Sequence, residues 1–122
     1  MIAQYKDFVS VIEIKGLKGS GAKNNVRQLE NWVNNYSMTK NEEAKGLLII
    51  NTFKTLPIEE RTALSFPPDM VNFSIQRNHC LILTLDLVNL YIDFEENLIT
   101  IDEIALLLNA CVGVLKYVPR FK

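Results

Sequence analysis

Glu13 and Lys15 stand two residues apart in Val9-Ser10-Val11-Ile12-Glu13-Ile14-Lys15, a run that is otherwise largely aliphatic and β-branched. In a strand, residues i and i+2 share a face, so a carboxylate and an ammonium would project side by side from an element that reads as buried. An isolated charge in a buried strand is costly, and a pair on one face followed at once by Gly16 has two readings: a reactive site, or an edge strand with a solvated Glu-Lys face. The chemistry open to the first reading is phosphodiester hydrolysis. A carboxylate oxygen suits a hard cation such as Mg2+, and an ammonium can orient a water and offset charge developing on phosphate.

Few other residues compete. His79 is the only histidine and has no Ser or Cys nucleophile patterned beside it, so a triad is unsupported and a role at a turn or core edge is expected. Cys80 and Cys111 sit in apolar surroundings without a partner at metal spacing and read as reduced core residues. The Gly16 to Lys23 loop follows a strand and opens a helix as a phosphate-binding loop would. Ala22 nevertheless intervenes before Lys23, and Asn24 replaces the hydroxyl that such loops give to Mg2+.

At 122 residues, 48% of them hydrophobic, the chain is expected to form one domain with a packed core. Its net charge of −1 excludes a global basic field, so a nucleic-acid partner would need a local patch. No apolar run is long enough to span a membrane and no signal-peptide layout opens the chain, which reads as cytoplasmic.

Periodicity supplies the elements that would carry the pair. A strand is predicted from about Phe8 to Ile14. A helix follows from Lys23 to about Tyr36, with Val26, Leu29, Val33 and Tyr36 as its apolar stripe and Arg27, Gln28, Asn31 and Asn35 off it. A polar connection from Ser37 to Lys45 leads to Leu47-Leu48-Ile49-Ile50, a strand buried on both faces. Thr52 to Pro68 reads as a surface excursion around a short helical piece at Ile58 to Arg61. Asp69 to about Arg77 reads as a helix with Met70, Phe73 and Ile75 facing inward. A third strand at Cys80 to Thr84 precedes a helix from Asp86, which could cap it, to about Phe94, with Glu95, Glu96 and Asn97 as its solvated end. Thr100 and Glu103 form a capping box for a last helix whose buried stripe is Ile104, Leu107, Leu108, Cys111 and Leu115. Alternating strands and helices predict an α/β fold with a mixed or largely parallel sheet of at least three strands flanked by helices.

The order of a strand with Glu13-Ile14-Lys15-Gly16, a loop, a helix with Gln28-Leu29-Glu30-Asn31-Trp32 and then an apolar strand resembles the PD-(D/E)XK nuclease superfamily, the restriction-endonuclease-like fold. Gln28 and Trp32 follow the Gln-x-x-x-Tyr pattern of its RecB-like branch with one aromatic exchanged for another. The resemblance runs from about residue 7 to 95. It implies Mg2+ or Mn2+ as cofactor, with Glu13 and the backbone carbonyl of Ile14 as ligands, Lys15 assisting the attacking water and Gln28 supporting the site. Lys18, Lys23 and Arg27 become candidate phosphate contacts on DNA, while Trp32 is expected to pack at a helix edge.

The family's other acidic ligand is an Asp on a preceding hairpin, and here only Asp7 precedes Glu13, at the mouth of the same strand. The resemblance therefore implies a longer protein whose N-terminal part of the fold is missing, or else a noncatalytic binding or oligomerisation module. A first strand with nothing beside it would leave an open edge, from which a homodimer or strand exchange is expected.

Overall fold

The computed structural model describes residues 1–61 and 64–122. Its chain order is β1 (Ile2–Tyr5), β2 (Phe8–Gly16), α1 (Lys23–Lys40), β3 (Lys45–Asn51), a 3-10 turn (Ile58–Glu60), α2 (Pro68–Gln76), β4 (Cys80–Leu83), α3 (Thr84–Glu95), α4 (Ile101–Ala110) and β5 (Gly113–Val114). The five strands form one mixed sheet in the order β1-β2-β3-β4-β5, antiparallel between β1 and β2 and parallel thereafter. The α/β expectation holds, with two more strands than its minimum.

β3 is the spine of the sheet. Residues 45–50 are all buried, and seven residue pairs tie the strand to β2 in register from Ser10↔Lys45 to Gly16↔Asn51. Its alternate side chains serve two cores. Leu48 and Ile50 join Val11, Leu81, the α1 residues Val26, Leu29 and Val33, and Phe66 and Met70 on one face. Leu47 and Ile49 join Cys80, Ile82, Leu90, Ile99 and Leu115 beneath α3 and α4 on the other. Since the strand order advances in one direction throughout, placing α3 and α4 opposite α1 and α2 gives the last crossover the opposite hand to the two before it.

Several expectations need correction. β2 does not begin unpaired: β1 lies along its outer edge from Ile2↔Val11 to Tyr5↔Phe8, through a turn at Lys6 with φ 53°. The open edge from which a strand-exchanged homodimer is expected is thereby reduced to the stretch of β2 beyond Ile12. α1 runs on to Lys40 and stops at Asn41 in the left-handed conformation that asparagine tolerates, so half of the expected polar connection is helical. In α2, Met70 is buried and Phe73 is partly so, but Ile75 is exposed, and Ser74 takes the inward position by donating its hydroxyl to the Val71 carbonyl. The expected stripe of α4 stops short: Cys111 caps the helix and Leu115 follows β5, because Gly113 at φ 83° turns the chain back into the sheet. Asp86 does not cap α3, whose flanking residue is Leu83; it sits in the first turn, where burial raises its carboxyl pKa. The Thr100 capping box forms as expected, with the Glu103 amide donating to the Thr100 hydroxyl at 3.2 Å.

Gly46 is the position where β3 admits no side chain, since a Cβ there would lie 2.4 Å from His79 Nδ1. Gly46→Ala is expected to destabilise the fold by about 1–3 kcal/mol, the usual cost of overpacking. Gly19→Ala, in open space, should stay within about 0.5 kcal/mol of the parent in the same urea titration.

Candidate functional site

Three residues named from the sequence converge. Glu13 and Lys15 point from β2 to the face covered by α1, with Lys15 Nζ 3.5 Å from Glu13 Oε1 and the two side chains 20% and 24% exposed. From α1, Gln28 turns its Oε1 toward the same ammonium and accepts a hydrogen bond from it. Its neighbour Leu29 is fully buried, so the anchored helix holds the amide over the strand. Lys15 is thus shared between a carboxylate and a carboxamide, while Glu13 Oε2 is buried with no hydrogen-bond partner. A buried carboxylate oxygen left without a donor is costly unless a donor or cation reaches it.

Backbone parity extends the site to Ile14. The Ile12 amide donates to the Met1 carbonyl on the β1 side, and the Leu17 amide donates to Asn51 on the β3 side. Even-numbered residues of β2 therefore direct their N–H and C=O toward β1, whose pairing ends opposite Val11 and Ile12. The Ile14 carbonyl lies beyond that end, on the unpaired stretch of the edge, while its side chain is exposed on the opposite face of the sheet from Glu13.

The family-implied cation can be tested against these donors. Glu13 Oε2 and the Ile14 carbonyl are both oxygen ligands, and magnesium is commonly held by one or two carboxylates with water and substrate phosphate completing the shell. In donor type alone these two oxygens meet that one-carboxylate minimum. Among the described residues no group of three or more His, Cys, Asp or Glu side chains is placed to hold a metal. Asp7 cannot contribute: six residues earlier along an extended strand, it is about 20 Å from Glu13.

The candidate phosphate contacts separate into two groups. Lys18 is exposed in the loop directly after β2, at the same end of the sheet as Lys15. Lys54, which the sequence reading did not single out, joins that end, because its aliphatic stem lies where a Gly16 Cβ would be only 3.1 Å away. Backbone hydrogen bonds from Lys54 to Leu17 and from Phe53 to Gly19 lace the two loops together. Lys23 and Arg27 turn instead toward α2, where with Arg77 they surround the Phe73 ring at 5.2, 5.9 and 5.0 Å. Gly21 serves packing, with Met70 Sδ 2.8 Å from where its Cβ would be.

Trp32 is not packed at a helix edge. It is 57% exposed and, with Glu13, Gln28, Asn31 and Asn35, lines a recess of about 360 Å³. The polar positions Gln28, Asn31 and Asn35 recur at i, i+3 and i+7, and that spacing was the sequence signal for a carboxamide face on α1.

A second polar cluster lies behind the sheet-facing side of α2. His79 is buried, its Nε2 3.1 Å from Glu30 Oε2, which also meets Arg77 Nε at 3.4 Å. This agrees with a core-edge role for His79. Lys45 is buried on the other face of β3, the face of Leu47 and Ile49, with Nζ bonded to Asn78 at 3.2 Å, and burial lowers its pKa. Cys80 and Cys111 are free thiols in the core beneath α3 and α4, on the same face of the sheet as Lys45. The Cys111 thiol, followed by burial, raises the Cys80 pKa, which agrees with an unreactive reduced residue.

No family model, curated protein or solved structure matches the chain.

Burial lowers the His79 pKa against the opposing pull of Glu30. A depressed imidazole binds fewer protons folded than unfolded, so stability should be undiminished above about pH 6.5 and fall as pH drops from there through the folded value. As the only histidine, its ring signals can be followed directly by NMR, with a titration midpoint below 6.5 expected and one above it contradicting the burial effect.

Proposed function

We propose that this domain hydrolyses phosphodiester bonds in DNA with Mg2+ or Mn2+, in the manner of the restriction-endonuclease-like nucleases that the sequence resembles. The observation that supports this reading best is the convergence of Lys15 on both Glu13 and Gln28 while Glu13 keeps one buried oxygen free. Glu13 Oε2 and the Ile14 carbonyl would hold the cation, which when bound supplies Lewis-acid polarisation of a phosphoryl oxygen and a more acidic water. The Lys15 ammonium, held by Gln28, orients the attacking water and balances charge as the new P–O bond forms and the ester P–O bond breaks. Gln28 acts as a positioning residue through Lys15. Lys18 and Lys54 are placed to meet the neighbouring phosphates.

A second reading, a noncatalytic nuclease-fold binding or oligomerisation module, draws on one specific observation. Among the described residues Glu13 is the only carboxylate of the cluster and Asp7 is about 20 Å away, so a second acidic ligand would have to come from elsewhere.

The test is nicking of supercoiled plasmid by the purified protein with Mg2+, Mn2+, Ca2+ or EDTA. Cleavage is expected with Mg2+ or Mn2+ only, and Lys15→Ala and Glu13→Gln should each lower it by roughly 10²- to 10³-fold, as loss of one charge-stabilising group does, with unchanged circular dichroism. Cleavage insensitive to Lys15→Ala would contradict the assignment, and no cleavage with any cation would leave the module.

A further inference from the structure

The recess beside Glu13 has an unusual lining: one indole, three carboxamides from Gln28, Asn31 and Asn35, and one carboxylate, without an aliphatic side chain. Trp32 stands one turn beyond Gln28 on the same face of α1, more than half exposed, at the junction of this recess with a larger, mainly apolar groove of about 620 Å³ that runs along Met1, Ile2, Val11, Ile12 and Ile14 and ends at Lys40. An indole left open to water forgoes a large apolar burial, and an apolar protein knob seated on it would strand the surrounding amides without partners. A flat heteroaromatic ring with donors and acceptors on its edge satisfies both surfaces, stacking on the indole while its edge pairs with carboxamides.

We propose that this recess is a nucleobase subsite in which Trp32 stacks one base of a single-stranded DNA segment or a frayed strand end, and Asn31 and Asn35 contact the base edge. The subsite rests on the reading of Glu13, Lys15 and Gln28 as a phosphodiester site, because the recess shares Glu13 and Gln28 with that cluster. It also deepens that reading by naming the substrate class. A base within an intact duplex has both faces covered by its neighbours, so only an unpaired, frayed or extruded base offers a free face to Trp32.

Trp32 is the only tryptophan beside four tyrosines, so emission excited selectively in the indole band reports on this position alone. The experiment titrates the protein, in Ca2+ and separately in EDTA, with a fluorescein-labelled 12-nucleotide single strand, its blunt duplex and the same backbone carrying abasic sites. Trp32 emission and fluorescein anisotropy are read in parallel. The single strand is expected to quench Trp32 and to bind more tightly than the duplex, while the abasic strand leaves the emission unchanged. Trp32→Ala should weaken single-strand binding by roughly 5- to 150-fold, the range for loss of one base-aromatic stack, and Trp32→Phe should stay within a few-fold of the parent. The proposal is overturned by strand binding without quenching, by equal quenching from the abasic strand, by equal affinity in Trp32→Ala, or by no binding at all. It is also overturned if the emission shifts with protein concentration alone, which would assign the groove to a second copy of the chain. Quenching that persists where plasmid cleavage fails would overturn only the hydrolytic reading.

Discussion

The seating of α1 across β2 and β3 is the constraint on which the rest of the structure depends. Val26, Leu29 and Val33 are buried against Val11, Leu48 and Ile50, and that apolar stripe fixes both the rotation and the height of the helix. Once Leu29 is buried, Gln28 is held toward β2 and meets Lys15, while Glu30, on the other side of the stripe, meets His79 and Arg77. A helix turned by one residue would lose both polar contacts together. The two polar clusters are therefore secured by dispersion and the hydrophobic effect more than by their own electrostatics.

What was legible in the sequence follows from how local each signal is. β2, β3, β4 and the capping box of α4 each declare themselves within a few consecutive residues, and the facing of Glu13 and Lys15 follows from the strand period alone. β1 was not legible because Ile2–Tyr5 is short and its turn, Lys6-Asp7, lacks the asparagine-glycine signature of a tight hairpin. β5 was hidden for a different reason: Cys111 and Leu115 continue the helical spacing of α4, and only the backbone at Gly113 breaks it. Ile75 and Ser74 exchanged their expected places because a serine that bonds its own helix is cheap to bury.

The site divides along the same line. The Glu13–Lys15 pairing was readable, and so was the meeting with Gln28 once the helix phase was given. Trp32 was misread because an aromatic beside an apolar stripe ordinarily packs, and nothing local says that β1 stops too early to cover it. Lys54 escaped notice because its place over Gly16 depends on two loops laced together across more than thirty residues of sequence. The pairing of Glu30 with His79 likewise joins residues 49 apart, beyond any periodic signal.

β1 covers only the first part of β2, so Glu13 to Gly16 present an unpaired main-chain edge. Bare edges recruit strands from other molecules, and natural sheets commonly protect them with charge. Glu13 and Lys15 are the charges on this stretch, so the side chains proposed to handle phosphate also discourage intermolecular strand addition. Colloidal solubility and chemistry are thereby tied to the same two residues, and drift toward neutral side chains here would be opposed by aggregation even in a protein whose chemistry had lapsed.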